Sequence, residues 1–142
     1  MVLVDVNVLV YAHRRDALGH GRYLRWLESR MSSPEPYGMS ELVLSSFVRI
    51  ATHPRIHQYP TPLEEAFRFV SRVREQANCV VVSPGPRHWE IFRDFCHTVQ
   101  ARGNLVTDAY LAALAIESGS EWITTDRDYS RFPGLRWRHP LD

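Results

Sequence analysis

The chain has 142 residues, a formal net charge of +1 and a 44% hydrophobic content. That length suits one domain able to bury roughly 68–70% of its unfolded surface, and the near-neutral charge removes any bulk-electrostatic argument for nucleic acid. All 17 basic residues are arginine, which excludes P-loop, Schiff-base and Ser–Lys chemistry together.

Val2, Leu3 and Val4 predict a buried first strand. It ends in Asp5. An uncompensated carboxylate at the end of a buried strand is costly, and ligands of open α/β sheets bind outside the carboxyl ends of the strands. Asp5 is therefore a candidate ligand or catalytic group, the alternative being an aspartate that caps the next turn. Asn7 follows, the apolar run resumes at Val8 to Val10, and Ala12 to Asp16 reads as a turn. A helix is predicted from about His20 to Met31, with Tyr23, Leu24, Leu27 and Met31 on one stripe. Ser32 to Pro36 ends it.

Tyr37 to Ser40 forms a very short strand. Ser40 then N-caps a helix that starts at Glu41, apolar on most sides and so largely buried. Glu41 is either an acid favoured by the helix N-terminus or a second carboxylate facing the crevice of Asp5. His53 and His57 have i, i+4 spacing but flank Pro54, and read as loop histidines rather than a metal pair. Thr61-Pro62-Leu63-Glu64 is a helix start with Thr61 as N-cap and Pro62 at the first helical position. This helix runs to about Gln76, with Ala66, Phe67, Val70 and Val73 inward.

Cys79 to Val82 predicts a buried strand of the parallel type. His88 to Arg102 is an amphipathic helix on the stripe Trp89, Phe92, Phe95, Cys96 and Val99. Leu105 to Ser118 is a helix rich in small residues, with Asp108 in its first turn and Gly119 as C-cap. Trp122 to Thr125 is a further strand, which ends in Asp126-Arg127-Asp128, and Leu135 to Arg138 is a last one. Strands alternating with helices predict a three-layer α/β/α sandwich with a small, mostly parallel central sheet, one domain over residues 1–142. No apolar run is long enough to span a membrane, and the opening MVLVDV lacks the basic region of a signal peptide. A cytoplasmic protein with Cys79 and Cys96 as reduced thiols is expected.

Asp5, Glu41, Asp108 and Asp126 each fall at a strand C-terminus or a helix N-terminus. Converging carboxylates without His or Cys describe a site for a hard cation, Mg²⁺ or Mn²⁺. Such a site polarises a phosphoryl oxygen and activates water, which implies phosphodiester hydrolysis. The segments VDVNVLVYA, SELVLSSFVRI, NLVTDAYLAALAIESG and ITTDRDYSRFPGL together resemble a PIN domain, and specifically the VapC-type toxin ribonucleases of bacterial type II toxin–antitoxin pairs.

The resemblance covers essentially the full length. It implies metal-dependent cleavage of RNA, often a tRNA or a ribosomal RNA loop, a homodimer, and inhibition by a cognate antitoxin that inserts near the active site. Asp5, Glu41, Asp108 and Asp126 match the family's acidic quartet, with Asp5 and Asp108 as its usual direct metal ligands. Asn7 matches a residue that supports the first aspartate by hydrogen bonding, Thr124 or Thr125 a hydroxyl beside the fourth acid, and Asp128 an additional acid.

Two rival readings differ in kind. A haloacid-dehalogenase-like phosphatase shares a hydrophobic strand followed by Asp-x-Asp, but here the second acid is Asn7 and the phosphate-binding lysine is missing. A non-catalytic RNA-binding domain predicts binding without cleavage, and the presence of all four acids argues against it. Arg14, Arg15, Arg22, Arg25, Arg49 and Arg55 are candidates for holding an RNA backbone, against solvated surface arginines. Tyr23, Leu27 and Phe47 form either a groove for an antitoxin helix or core.

Overall fold

The computed structural model describes residues 1–142. In chain order the elements are β1 (Val2–Val4), α1 (Val6–His13), α2 (His20–Ser32), β2 (Tyr37–Met39), α3 (Glu41–Ala51), α4 (Leu63–Arg74), β3 (Cys79–Val81), α5 (His88–Val99), α6 (Asn104–Glu117), β4 (Glu121–Ile123), a 3₁₀ turn (Arg127–Arg131) and β5 (Trp137–Arg138). The sheet order is β3-β2-β1-β4-β5 and every pairing is parallel. Val2 sits opposite Tyr37 on one side and Glu121 on the other.

Parallel neighbours need crossover connections, and these are right-handed. The helices between β1, β2 and β3 therefore cover one face, while α5 and α6, which carry the chain back past β1 to β4, cover the other. The packing follows: α1 lies on α2 and α3, α3 on α4, and α5 on α6. One continuous cluster of 29 buried apolar residues fills both interlayers. Ala109, Ala112, Ala113 and Ala115 of α6 are all fully buried, the small side chains that let a helix approach a sheet closely.

Several expectations give way to tertiary packing. The run after Asp5 is the helix α1, and the turn starts only at Arg14. Burial of Val8, Leu9, Val10 and Ala12 outweighs the weak helix propensity of valine. β3 is an edge strand paired only with β2, so Val80 and Val81 are exposed rather than buried. Phe67 and Trp89, expected inward, are 51% and 69% exposed. Tyr23, Leu27 and Phe47 belong to the core cluster and form no open groove.

Thr61 does not cap α4, whose N-cap position is Pro62. Its hydroxyl instead accepts from Arg14 Nη1 at 3.2 Å and pairs with His13 Nε2 at 3.2 Å. Arg14 is buried, donates twice to Asp16 at 3.0 and 2.7 Å, and donates to the Tyr59 carbonyl at 2.8 Å. It fastens the α3–α4 loop to the end of α1 and is not free to hold RNA. Arg15, Arg22, Arg25, Arg49 and Arg55 are exposed.

Candidate active site

From β1 the chain proceeds through β2 and β3 on one side, and β4 arrives on the other. The two connections leave the carboxyl ends of β1 and β4 in opposite directions, the switch point at which open α/β sheets bind their ligands. Asp5 stands at the end of β1, with 4% of its surface exposed. Its backbone N–H extends the ladder to the Ile123 carbonyl at 2.9 Å. Its Oδ1 accepts from the Val6 N–H at 2.7 Å, capping α1, and its Oδ2 accepts from the Thr124 hydroxyl at 2.6 Å.

Thr124 is the first residue beyond β4 and is fully buried. Its Oγ1 accepts in turn from the Asp126 N–H at 3.0 Å. Asp126 N-caps the 3₁₀ turn, with Oδ1 accepting from the Asp128 N–H at 2.9 Å. The same turn carries Tyr129, buried against Trp122 and Phe132, whose hydroxyl donates to Asp108 Oδ1 at 3.2 Å. Asp108 lies in the second turn of α6, not its first, because the helix begins at Asn104.

These acids share one electrostatic neighbourhood. Burial pushes the Asp5 carboxyl up to about 6, and repulsion from Asp108 and Asp126 adds to it, against the bonds from Thr124 and Val6. Asp108 is also raised, chiefly by burial, opposed by the Tyr129 hydroxyl and reinforced by Asp126 and Asp128. The Tyr129 phenol is pushed far up by burial and by Asp5, Asp108 and Asp126. No three His, Cys, Asp or Glu side chains are placed to close on one ion.

The PIN domain family model matches residues 2–135. The chain belongs to the PIN domain family. It is 43% identical over 142 residues to Ribonuclease VapC43 of Mycobacterium tuberculosis, covering 100% of this chain and 97% of that one. It is 39% identical over 140 residues to Ribonuclease VapC25 of the same organism, covering 99% of each. Among solved structures, VapBC2 from Rickettsia felis bound to a DNA fragment from their promoter superimposes with a TM-score of 0.73 at 15% identity, covering 98% of each chain. VapC20 of M. tuberculosis, described as a sarcin–ricin-loop-cleaving toxin, gives 0.69 at 16% identity over 92% of this chain and 93% of that one. At such identities the structural likeness speaks for the fold.

In this PIN domain Asp5, Asp108 and Asp126 come together, and Asp128 stands close enough to act on Asp108. Thr124, not Thr125, supplies the hydroxyl. Asn7 makes no hydrogen bond to Asp5, whose two oxygens are already taken by Val6 and Thr124. Glu41 opens α3 beyond the end of β2, next to β1, but its exposed carboxylate accepts from Arg74 Nη2 at 3.1 Å and it contributes to none of the aspartate shifts. Tyr129 is the residue that sequence reading missed. Its signal was an aromatic three positions after Asp126 in DRDYSRF, which reads equally as a core anchor until α6 is seen beside it.

No helix is long and apolar enough to cross a membrane. Cys79 and Cys96 are both free thiols, partly buried.

Proposed function

We propose that the chain is the ribonuclease toxin of a toxin–antitoxin pair and hydrolyses RNA phosphodiester bonds with Mg²⁺ or Mn²⁺. The observation that carries the reading is the crowding of Asp5, Asp108 and Asp126 at the β1–β4 switch point, where burial and mutual repulsion raise Asp5 and Asp108. Like charges held this way protonate unless a cation neutralises them. The donors are all oxygen, the set a hard divalent cation takes.

Asp5 and Asp108 are the direct ligands in this reading. Asp126 and Glu41 complete the acidic set, Asp128 adds charge, and Asn7 sits in the first turn of α1 without a hydrogen bond to Asp5. A divalent ion held there supplies polarisation of a phosphoryl oxygen and a water of lowered pKa. The chain's own residues supply fixed geometry. Thr124 and the Val6 N–H hold both oxygens of Asp5 in place, so little reorganisation is left at the moment of reaction. Glu41 joins by leaving Arg74, and exposed ion pairs of that kind contribute only about 0–1 kcal/mol.

The curated relatives named as ribonucleases support RNA as the substrate, and within RNA the proposed target is a tRNA or ribosomal RNA loop. The VapBC complexes among the fold neighbours support an antitoxin protein as partner. A homodimer in the cytoplasm, with residues 1–142 acting as one domain, completes the proposal.

The test is cleavage of refolded total RNA by protein freed of any antitoxin, with Mg²⁺, with Mn²⁺ and with chelator, beside folded Asp5→Asn and Asp108→Asn proteins. Discrete metal-dependent products that vanish in both variants are expected. RNA bound but uncut under either metal, or equal cleavage by the variants, overturns the reading.

A further inference from the structure

Asp108 occupies an unusual position among the three crowded acids. Asp5 has a protein partner on each oxygen and Asp126 caps a turn of its own. Asp108 stands in the second turn of α6 and has a single hydrogen bond, from the Tyr129 hydroxyl to Oδ1, which leaves Oδ2 without a protein partner. The phenol that makes this bond is itself closely packed. Tyr129 is 2% exposed, its ring lies 5.4 Å from that of Trp122 and 5.9 Å from that of Phe132, and its N–H and carbonyl are both bonded within the turn that Asp126 begins. Phenylalanine would satisfy that apolar pocket equally well. The hydroxyl is therefore surplus to packing, and a buried hydroxyl is tolerated only where it finds an acceptor.

We propose that Tyr129 is a positioning residue for the ion-binding carboxylate of Asp108: its hydroxyl occupies Oδ1 and so presents Oδ2 in one orientation to the divalent cation. The proposal rests on the ribonuclease reading above. It also ties the α6 acid to the turn that carries Asp126 and Asp128, so that acids contributed by separate elements keep a fixed mutual geometry. Hydrogen bonds to ligating carboxylates typically govern affinity by 10–100-fold.

The experiment is a titration of the whole protein with Mn²⁺, followed by the electron paramagnetic resonance signal of the free ion, and of RNA cleavage against Mn²⁺ concentration. Tyr129→Phe is expected to need about 10-fold more Mn²⁺ to half-saturate both, with turnover recovering near the wild-type rate once Mn²⁺ saturates. In an Asp108→Asn background Tyr129→Phe is expected to change Mn²⁺ affinity no further. Unchanged half-saturation in Tyr129→Phe overturns the proposal, as does turnover lost at every Mn²⁺ concentration with affinity intact. Wild-type protein that binds neither Mn²⁺ nor Mg²⁺ and cuts RNA no better with either than with chelator overturns the metal-dependent ribonuclease reading and this inference with it, a distinguishable result.

Should Tyr129→Phe fail to fold, protein grown on 3-fluorotyrosine decides. One of the six tyrosine signals, identified by its displacement in Asp108→Asn, is expected to move when Mg²⁺ is added to the wild type. If that signal stays still, Tyr129 does not position Asp108 for the ion.

Discussion

The Thr124 hydroxyl donates to Asp5 Oδ2 at 2.6 Å across 119 positions of sequence, and neither residue is more than 4% exposed. A hydrogen bond to a buried charge is worth about 1.5–3 kcal/mol. Thr124→Val keeps the volume and removes the bond, so it is expected to lower RNA cleavage by about 10–100-fold. In chelator at pH 8 it should cost about 2 kcal/mol of stability, and much less near pH 4, where Asp5 is protonated. Thr124→Ser retains the hydroxyl and should retain most activity. Cleavage rates and urea melts of the two variants decide the matter, and equal loss in both would count against the bond.

Asp5 titrates near 6 in the folded protein against 3.8 in its ordinary state, chiefly because it is buried. The folded state thus holds this proton more tightly than the unfolded chain. The resulting stabilisation is fully present below about pH 4 and is lost as pH rises through 6. In chelator the loss amounts to about 3 kcal/mol. Asp5→Asn should flatten that part of the pH profile, matching the wild type near pH 4 and exceeding it at pH 8. Urea melts across pH 4–8 provide the check.

Arg14 is expected to matter for stability and not for RNA. Its guanidinium is shared among Asp16, the Tyr59 carbonyl and Thr61 in a buried setting. Arg14→Met should lower stability by about 1 kcal/mol through the lost bond to buried Thr61, the exposed Asp16 carboxylate and Tyr59 carbonyl being free to take water instead. It should also speed proteolysis between α3 and α4. Arg15→Ala, at an exposed position, should change the melt by less than about 0.5 kcal/mol.

Gly38 lies in β2 between β1 and β3. A Cβ there would stand 3.0 Å from both Leu3 Cδ1 and Val82 Cγ2. Gly38→Ala must spread the strands or displace these side chains, at about 1–3 kcal/mol by analogy with other overpacked cores. A melt unchanged by the substitution would show that Leu3 and Val82 yield freely.

The alternation of elements was legible from residues 2 to 138 because valine-rich runs and amphipathic stripes carry their own period. α1 was not, since a run such as VNVLV has no helical stripe and is helical through the burial of Val8, Leu9, Val10 and Ala12 together with the Asp5 cap. The exposure of Val80 and Val81 could not be read either, because Cys-Val-Val-Val is the same sequence at an edge as at a centre. At the site, Asp5, Asp108 and Asp126 were readable as acids at element ends. The partnership of Glu41 with Arg74 and of Asp108 with Tyr129 was not, because both are set by helices docking across the fold.

The acidic site joins β1, the first strand of this fold, to β4, which begins at Glu121. A ribosome that has delivered the first hundred residues has delivered Asp5 and Glu41 but neither Asp108, Asp126 nor Thr124. A chain that stops there therefore lacks the site. Whatever damage this protein does to RNA waits until β4 has been made, and a truncation anywhere before β4 disarms it without touching the first acid.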